Sequence, residues 1–247
     1  MTNIEDYRRR LSSLDEWEPF LLAESGLPGP RGNIELGQAV ADVGDRKRFD
    51  GLLSWTPERA PVGSREEFLA FCGTVGLGRL AAEGHTELFA ELRALASDPR
   101  WRVREAVAMA VQRVGAADMR VLLKEMRSWV GGNDFERRAA AAGLCEPALL
   151  RRERDVRDVL AILDRITTAM SRSSERRTEG FVALRKGLAY CWSVAVAAAP
   201  DAGRPLMERW MRGDDPDVRW VMKQNLSKKR MAAAGTAWVE RWQEEVR

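Results

Sequence analysis

The sequence predicts an all-α protein, a right-handed α-α superhelix of stacked helix pairs. Three observations predict it. Apolar residues recur at spacings of three and four over most of the chain from Arg65 onward. Short breaks of Gly, Asp-Pro or Asn-Asp separate the helical stretches. The pairs so delimited recur at about 35 to 45 residues, the period at which stacked neighbours bury faces that one pair cannot bury alone.

The first segment, Ile4 to Glu24, reads as one amphipathic helix, with Tyr7, Leu11, Leu14, Phe20 and Leu21 at helical spacing. Leu27-Pro28-Gly29-Pro30-Arg31-Gly32-Asn33 then forces a structured loop, which turns the chain or binds a ligand. A short helix is expected from Ile34 to Val43. Gly44 to Ser64, with Pro57 and Pro61, reads as loop with one short turn. The glycine-rich stretch Gly73 to Gly78 has no strand before it and no lysine after it. It is therefore no phosphate cradle, and reads as a kinked helix junction.

The clearest pair is Thr86 to Ala96 and Arg100 to Val114, joined by Ser97-Asp98-Pro99. Val103, Val107, Ala110, Val111 and Val114 give the second helix a face built for burial, and Gly115 is its stop signal. Met119 to Val130 pairs with Phe135 to Leu144, and Asp155 to Met170 with Ser174 to about Ala199. Pro205 to Met211 pairs with Asp217 to Met231, and Thr236 to Val246 caps the stack. One solenoid domain over residues 1–247 follows, with an atypical cap at 1–64, repeats over 65–231 and a C-terminal cap at 232–247.

Composition narrows the function. The 247 residues are 45% hydrophobic and 31% charged, with nine Trp but two Tyr. Forty basic against 37 acidic residues leave a net charge of +3, so any basic binding surface must come from local clustering. Cys72, Cys145 and Cys191 stand far apart, and His85 is the lone histidine, which argues against a zinc site and a disulfide framework. Neither a cofactor nor a metal is expected. Reduced thiols, a charged N-terminus and no long apolar run point to a cytoplasmic protein outside the membrane.

Asp98-Pro99-Arg100-Trp101-Arg102-Val103-Arg104-Glu105-Ala106 and Asp214-Asp215-Pro216-Asp217-Val218-Arg219 resemble HEAT repeats, whose motif is a turn aspartate followed by Val-Arg and small residues. Asn133 to Ala139 is a looser third copy. The resemblance implies a polar ladder pairing Asp98 with Arg104 and Asp214 with Arg219. The stretch from Asp98 to Ala106 is also similar to the bacterial DNA alkylation repair glycosylases, HEAT-like solenoids that grip DNA on a concave face. That likeness implies that Arg104 contacts DNA. The family's acid, in a Trp-x-x-x-Asp pattern one repeat upstream, falls on Cys72, and the second Trp is missing around Ala139 to Leu144. The departures favour a non-catalytic relative over a working glycosylase.

Basic residues on the second helices form the candidate nucleic-acid surface: Arg104, Arg137, Arg138, Arg219, Lys223, Lys228, Lys229 and Arg230. Trp101 and Trp220, beside the two Val-Arg pairs, could stack on bases or anchor a protein. Glu105, four residues after Trp101, and Glu179 are the carboxylates nominated for an acid role. The expected function is a HEAT-like repeat protein binding DNA phosphates on its concave face. The alternatives are a DNA glycosylase of the alkylation repair type and a protein–protein scaffold.

Overall fold

The computed structural model describes residues 3–246, which form fourteen α-helices and one 3-10 segment, with no strand among them. They divide into two compact units between Asp118 and Met119.

The first unit holds α1 (Asn3–Ser12), α2 (Glu18–Glu24), α3 (Ile34–Val43), α4 (Arg46–Leu53), α5 (Glu67–Ala82), α6 (Leu88–Leu95) and α7 (Trp101–Ala117). Alternate helices pack on one another: α1 on α3, α3 on α5, α5 on α7. Helix α4 lies against α5, and α6 against both α5 and α7. The core therefore centres on α5, where fourteen of sixteen residues are buried. A helix apolar all round must be surrounded on all sides.

Several sequence expectations shift here. Ile4 to Glu24 is two helices, not one. The chain breaks after Ser12, and buried Trp17 donates its indole N–H to the Leu11 carbonyl at 2.9 Å, which fixes the bend. Pro19, in the first turn of α2, suits a helix start. The stretch from Gly44 to Ser64 contains the full helix α4, begun by the Asp45 carboxylate accepting the Arg48 amide at 2.8 Å. Gly115 does not stop α7, which runs on to Ala117.

Gly73 to Gly78 is no kinked junction but the smooth middle of α5. A β-carbon at Gly76 would sit 2.3 Å from the Phe49 ring, and one at Gly78 would sit 2.3 Å from the Ala110 Cα. The glycines let α4 and α7 approach α5 closely.

The second unit holds α8 (Met119–Trp129), α9 (Asp134–Leu144), α10 (Glu153–Ser171), α11 (Glu179–Ala198), α12 (Pro200–Met211), α13 (Pro216–Leu226), a 3-10 segment (Lys229–Ala234) and α14 (Thr236–Glu245). The same alternation holds: α9 packs on α11 and α11 on α13, while α8 packs on α10 and α10 on α12. Asn133, Thr178 and Asp215 cap α9, α11 and α13 with their side chains. Helix α12 starts at Pro200 and carries Pro205 inside it, rather than starting there. Asp217 to Met231 is not continuous: α13 ends at Leu226 and the tighter 3-10 segment follows.

Several buried polar groups are matched in this core. Trp192 donates to the Thr167 hydroxyl at 3.0 Å. Asn225 accepts the Ser193 amide at 2.7 Å and donates to the Leu188 and Val221 carbonyls, which locks α13 onto α11. By length and composition α11 could cross a membrane, with mean hydropathy 1.3 over its most apolar window. Its apolar residues Phe181, Leu184, Leu188 and Trp192 are fully buried inside the protein.

The polar ladder differs from the expected pairing. The Asp98 carboxylate grips Arg100 at 2.7 and 2.9 Å, while buried Arg104 donates to the Asp98 and Pro99 carbonyls at 2.7 and 3.1 Å. In the second unit the turn acid is Asp215, not Asp214. It accepts Arg176 at 2.6 Å and the amides of Asp217 and Val218 at 3.0 Å. Arg176 and Arg185, not Arg219, are the arginines that face this turn.

Candidate functional site

Several of the nominated residues fall into two places, one in each unit. In the first unit, the loop after α2 is held in shape by its own glycines and by arginines. Gly26 has φ +72°, and a β-carbon on Gly29 would lie 2.4 Å from the Gly26 carbonyl oxygen, so neither position tolerates a side chain. Arg65 donates to the Leu27 carbonyl at 3.2 Å, Arg102 to the Gly29 carbonyl at 2.8 Å, and Asn33 to the Glu24 carbonyl at 2.9 Å.

Held this way, residues 30–32 form one wall of a cleft of about 300 Å³. Ile34 of α3, Phe68 and Phe71 of α5, and Trp101, Arg102, Glu105 and Met109 of α7 complete it. Phe68 and Phe71 stack at 5.6 Å with an interplanar angle of 14°. Ile34 and Trp101 stay 54% and 43% exposed, so the cleft mouth is apolar surface left open to solvent. The Arg102 guanidinium lies over the Trp101 ring at 4.4 Å and is paired with buried Glu67 at 3.1 Å. Arg102 Nε and Glu67 Oε1 are buried without a hydrogen-bond partner.

Among the described residues, which include all nine tryptophans, Trp101 is the one with a broadly exposed ring. Trp220 is half-buried beneath the Arg185 guanidinium at 4.2 Å. Glu105 does share a surface with Trp101, as their spacing on one helix face requires. Cys72, the position where the alkylation repair likeness put the acid, is fully buried, and desolvation pushes its thiol well above its ordinary range.

The second place is α13 and the 3-10 segment after it, both packed on α11. Arg219 and Lys223 stand one turn apart on α13, and Lys228 and Lys229 open the 3-10 segment. Among the described residues, none of these four side chains meets a carboxylate within ion-pair distance or another hydrogen-bond partner. Arg230 lies over the Tyr190 ring at 4.4 Å and donates to its hydroxyl at 2.6 Å; that ring is 43% exposed. Asp217, the acid nearest in sequence to Arg219, is held by Arg176 and Arg185.

Of the remaining nominees, the arginines have structural duties. Arg104 is buried against main-chain oxygens. Arg137 is half-buried between the Val130 carbonyl at 3.0 Å and the Asp134 carboxylate at 2.9 Å. Arg138 packs its side chain within 3.2 Å of a β-carbon built on Gly187, so its stem lies between α9 and α11. Glu179, the second nominated acid, is an exposed residue at the start of α11. Phe68 and Phe71 of the cleft wall were not nominated from the sequence.

No protein-family profile, curated protein or solved structure matches the chain.

Proposed function

We propose that the chain is a HEAT-like repeat binding protein that holds the phosphate backbone of DNA on the α11–α13 face of its second unit. The repeat reading, a right-handed stack of helix pairs, is supported by the packing of alternate helices within each unit and by turn acids that cap or clamp the helix after the turn. The DNA reading is carried by one observation: Arg219, Lys223, Lys228 and Lys229 have no acidic partner. Cations left unpaired beside one another repel, and a polyanion relieves that repulsion while releasing its own counterions. Exposed Tyr190, with Arg230 against it, adds an aromatic surface of the kind that packs on sugars and bases.

Fluorescence anisotropy with a labelled duplex tests this. Four phosphate contacts give a log–log salt slope near −4, roughly a hundredfold loss of affinity between about 50 and 200 mM salt. Arg219→Ala with Lys223→Ala reduces the slope by about 2. Binding that ignores salt, or that survives both substitutions with an unchanged slope, removes the proposal.

A further inference from the structure

Helix α11 packs against α9, α10, α13 and the 3-10 segment, and leaves a narrow strip of itself in water. From its start to Tyr190, its exposed residues are Glu179, Val182, Lys186 and Tyr190. Spacings of three and four place them in one row on one helix face. Glu179, the acid of the row, lies roughly 16 Å along the axis from Tyr190. The Tyr190 end of the row is therefore aromatic and cationic, and Val182 extends its apolar surface.

The cations close around the ring. Lys186, one turn before Tyr190, meets no acid among the described residues. Arg230 covers one side of the ring, and Lys228 and Lys229 directly precede it in the chain. The Tyr190 hydroxyl accepts a hydrogen bond from Arg230 at 2.6 Å. That bond holds the ring in one orientation before any ligand arrives, and leaves the hydroxyl proton for a further acceptor.

A ring fixed among cations offers two kinds of contact, a π-surface and positive charge. A duplex uses only the charge. Its bases are stacked inside, so a ring on a helix flank meets sugar and phosphate. The bases of a single strand turn outward, and can pack on the ring while the phosphates reach the lysines.

We propose that this surface binds single-stranded DNA in preference to duplex. One base stacks on Tyr190, and the phosphates on either side of it meet Lys186 and the Lys228–Lys229 pair. The inference rests on the reading of these cations as a DNA phosphate site, and names the strand form that the site takes.

The test is fluorescence anisotropy with the full chain, using a labelled oligothymidylate of about twenty nucleotides and a duplex of equal length at one salt concentration. The single strand binds at least about fivefold tighter, the effect of one stacked base. Tyr190→Ala weakens the single strand by about 5- to 150-fold and leaves the duplex nearly unchanged. Tyr190→Phe keeps the ring and costs less than Tyr190→Ala. Arg219→Ala with Lys223→Ala weakens both forms. Tyr190 is exposed, so its variants keep the wild-type melting temperature. A duplex bound as tightly as the single strand overturns the inference but leaves the phosphate reading standing. So does a Tyr190→Ala loss shared equally by both forms, or a Tyr190→Phe loss as large as that of Tyr190→Ala. If neither form binds, both readings fall.

Discussion

At the scale of single residues, the arginines of the repeat motif divide by where their hydrogen bonds end. Arg100 is 2% exposed, clamped by Asp98, and donates to the Trp55 carbonyl at 2.6 Å, so it ties the α6–α7 turn to the segment after α4. Arg104 closes the same turn through main-chain oxygens. Neither is available to a ligand. Arg100→Ala leaves the Asp98 carboxylate buried and unpaired, which costs about 3–5 kcal/mol. Thermal unfolding followed by circular dichroism shows this as a midpoint lower by about 10 °C. An unchanged midpoint contradicts the clamp. The motif spacing announced a polar turn with its arginines nearby. It could not tell which arginine takes the carboxylate and which the carbonyls, because both reach it from the start of α7, one at its N-cap and one in its first turn.

At the scale of helices, α5 decides how the first unit packs. Its glycines occur where neighbours come closest, and the sequence alone reads the same glycines as a weak point. Periodicity registers apolar side chains, and a glycine contributes none. Its packing role is visible only when Phe49 and Ala110 are seen to fill the space. Gly78→Ala overpacks this contact and costs about 1–3 kcal/mol. Gly51, on the exposed side of α4, has nothing within 4 Å of an added β-carbon. Gly51→Ala there stabilises by about 0.5–1 kcal/mol through helix propensity. Chemical denaturation of the two variants shows midpoints moving in opposite directions, and a shared direction sinks the packing account. Helix α3 and the helix starts at Met119 and Thr236 were readable residue for residue, since a cap or a break precedes an apolar run in each. Helices α1 and α2 were not, because the break at Trp17 depends on its indole reaching the Leu11 carbonyl.

At the scale of the molecule, a net charge of +3 conceals an uneven distribution. Acidic residues are spent on caps and clamps, and several cations on α13 and the 3-10 segment are left over. The same arrangement sets the acid response. The Thr56 hydroxyl holds the Glu58 carboxyl below its usual range. Burial pushes Glu208 and Asp215 up, but Trp238 with nearby arginines, and Arg176 with the α13 amides, outweigh it and leave both below the usual range. A carboxyl with a depressed folded-state pKa adds stability that is complete at neutral pH. That stability fades as pH drops through the unfolded value near 4, and is gone below the folded value. Melting temperature therefore declines as pH falls below about 4, and Asp215→Asn shows a shallower decline. An identical slope in that variant rules out Asp215 as a contributor.

By itself the sequence determined the all-α class, the order of most helices and the presence of polar turns before α7 and α13. Each of these follows from local rules: apolar spacing, capping chemistry and charge. Tertiary structure decided which cations stay free, that Trp101 alone among the tryptophans keeps an open ring, and that the Pro-Gly loop meets three helix starts at one cleft. These depend on which segments distant in the chain come to lie together, and local spacing carries no information about that.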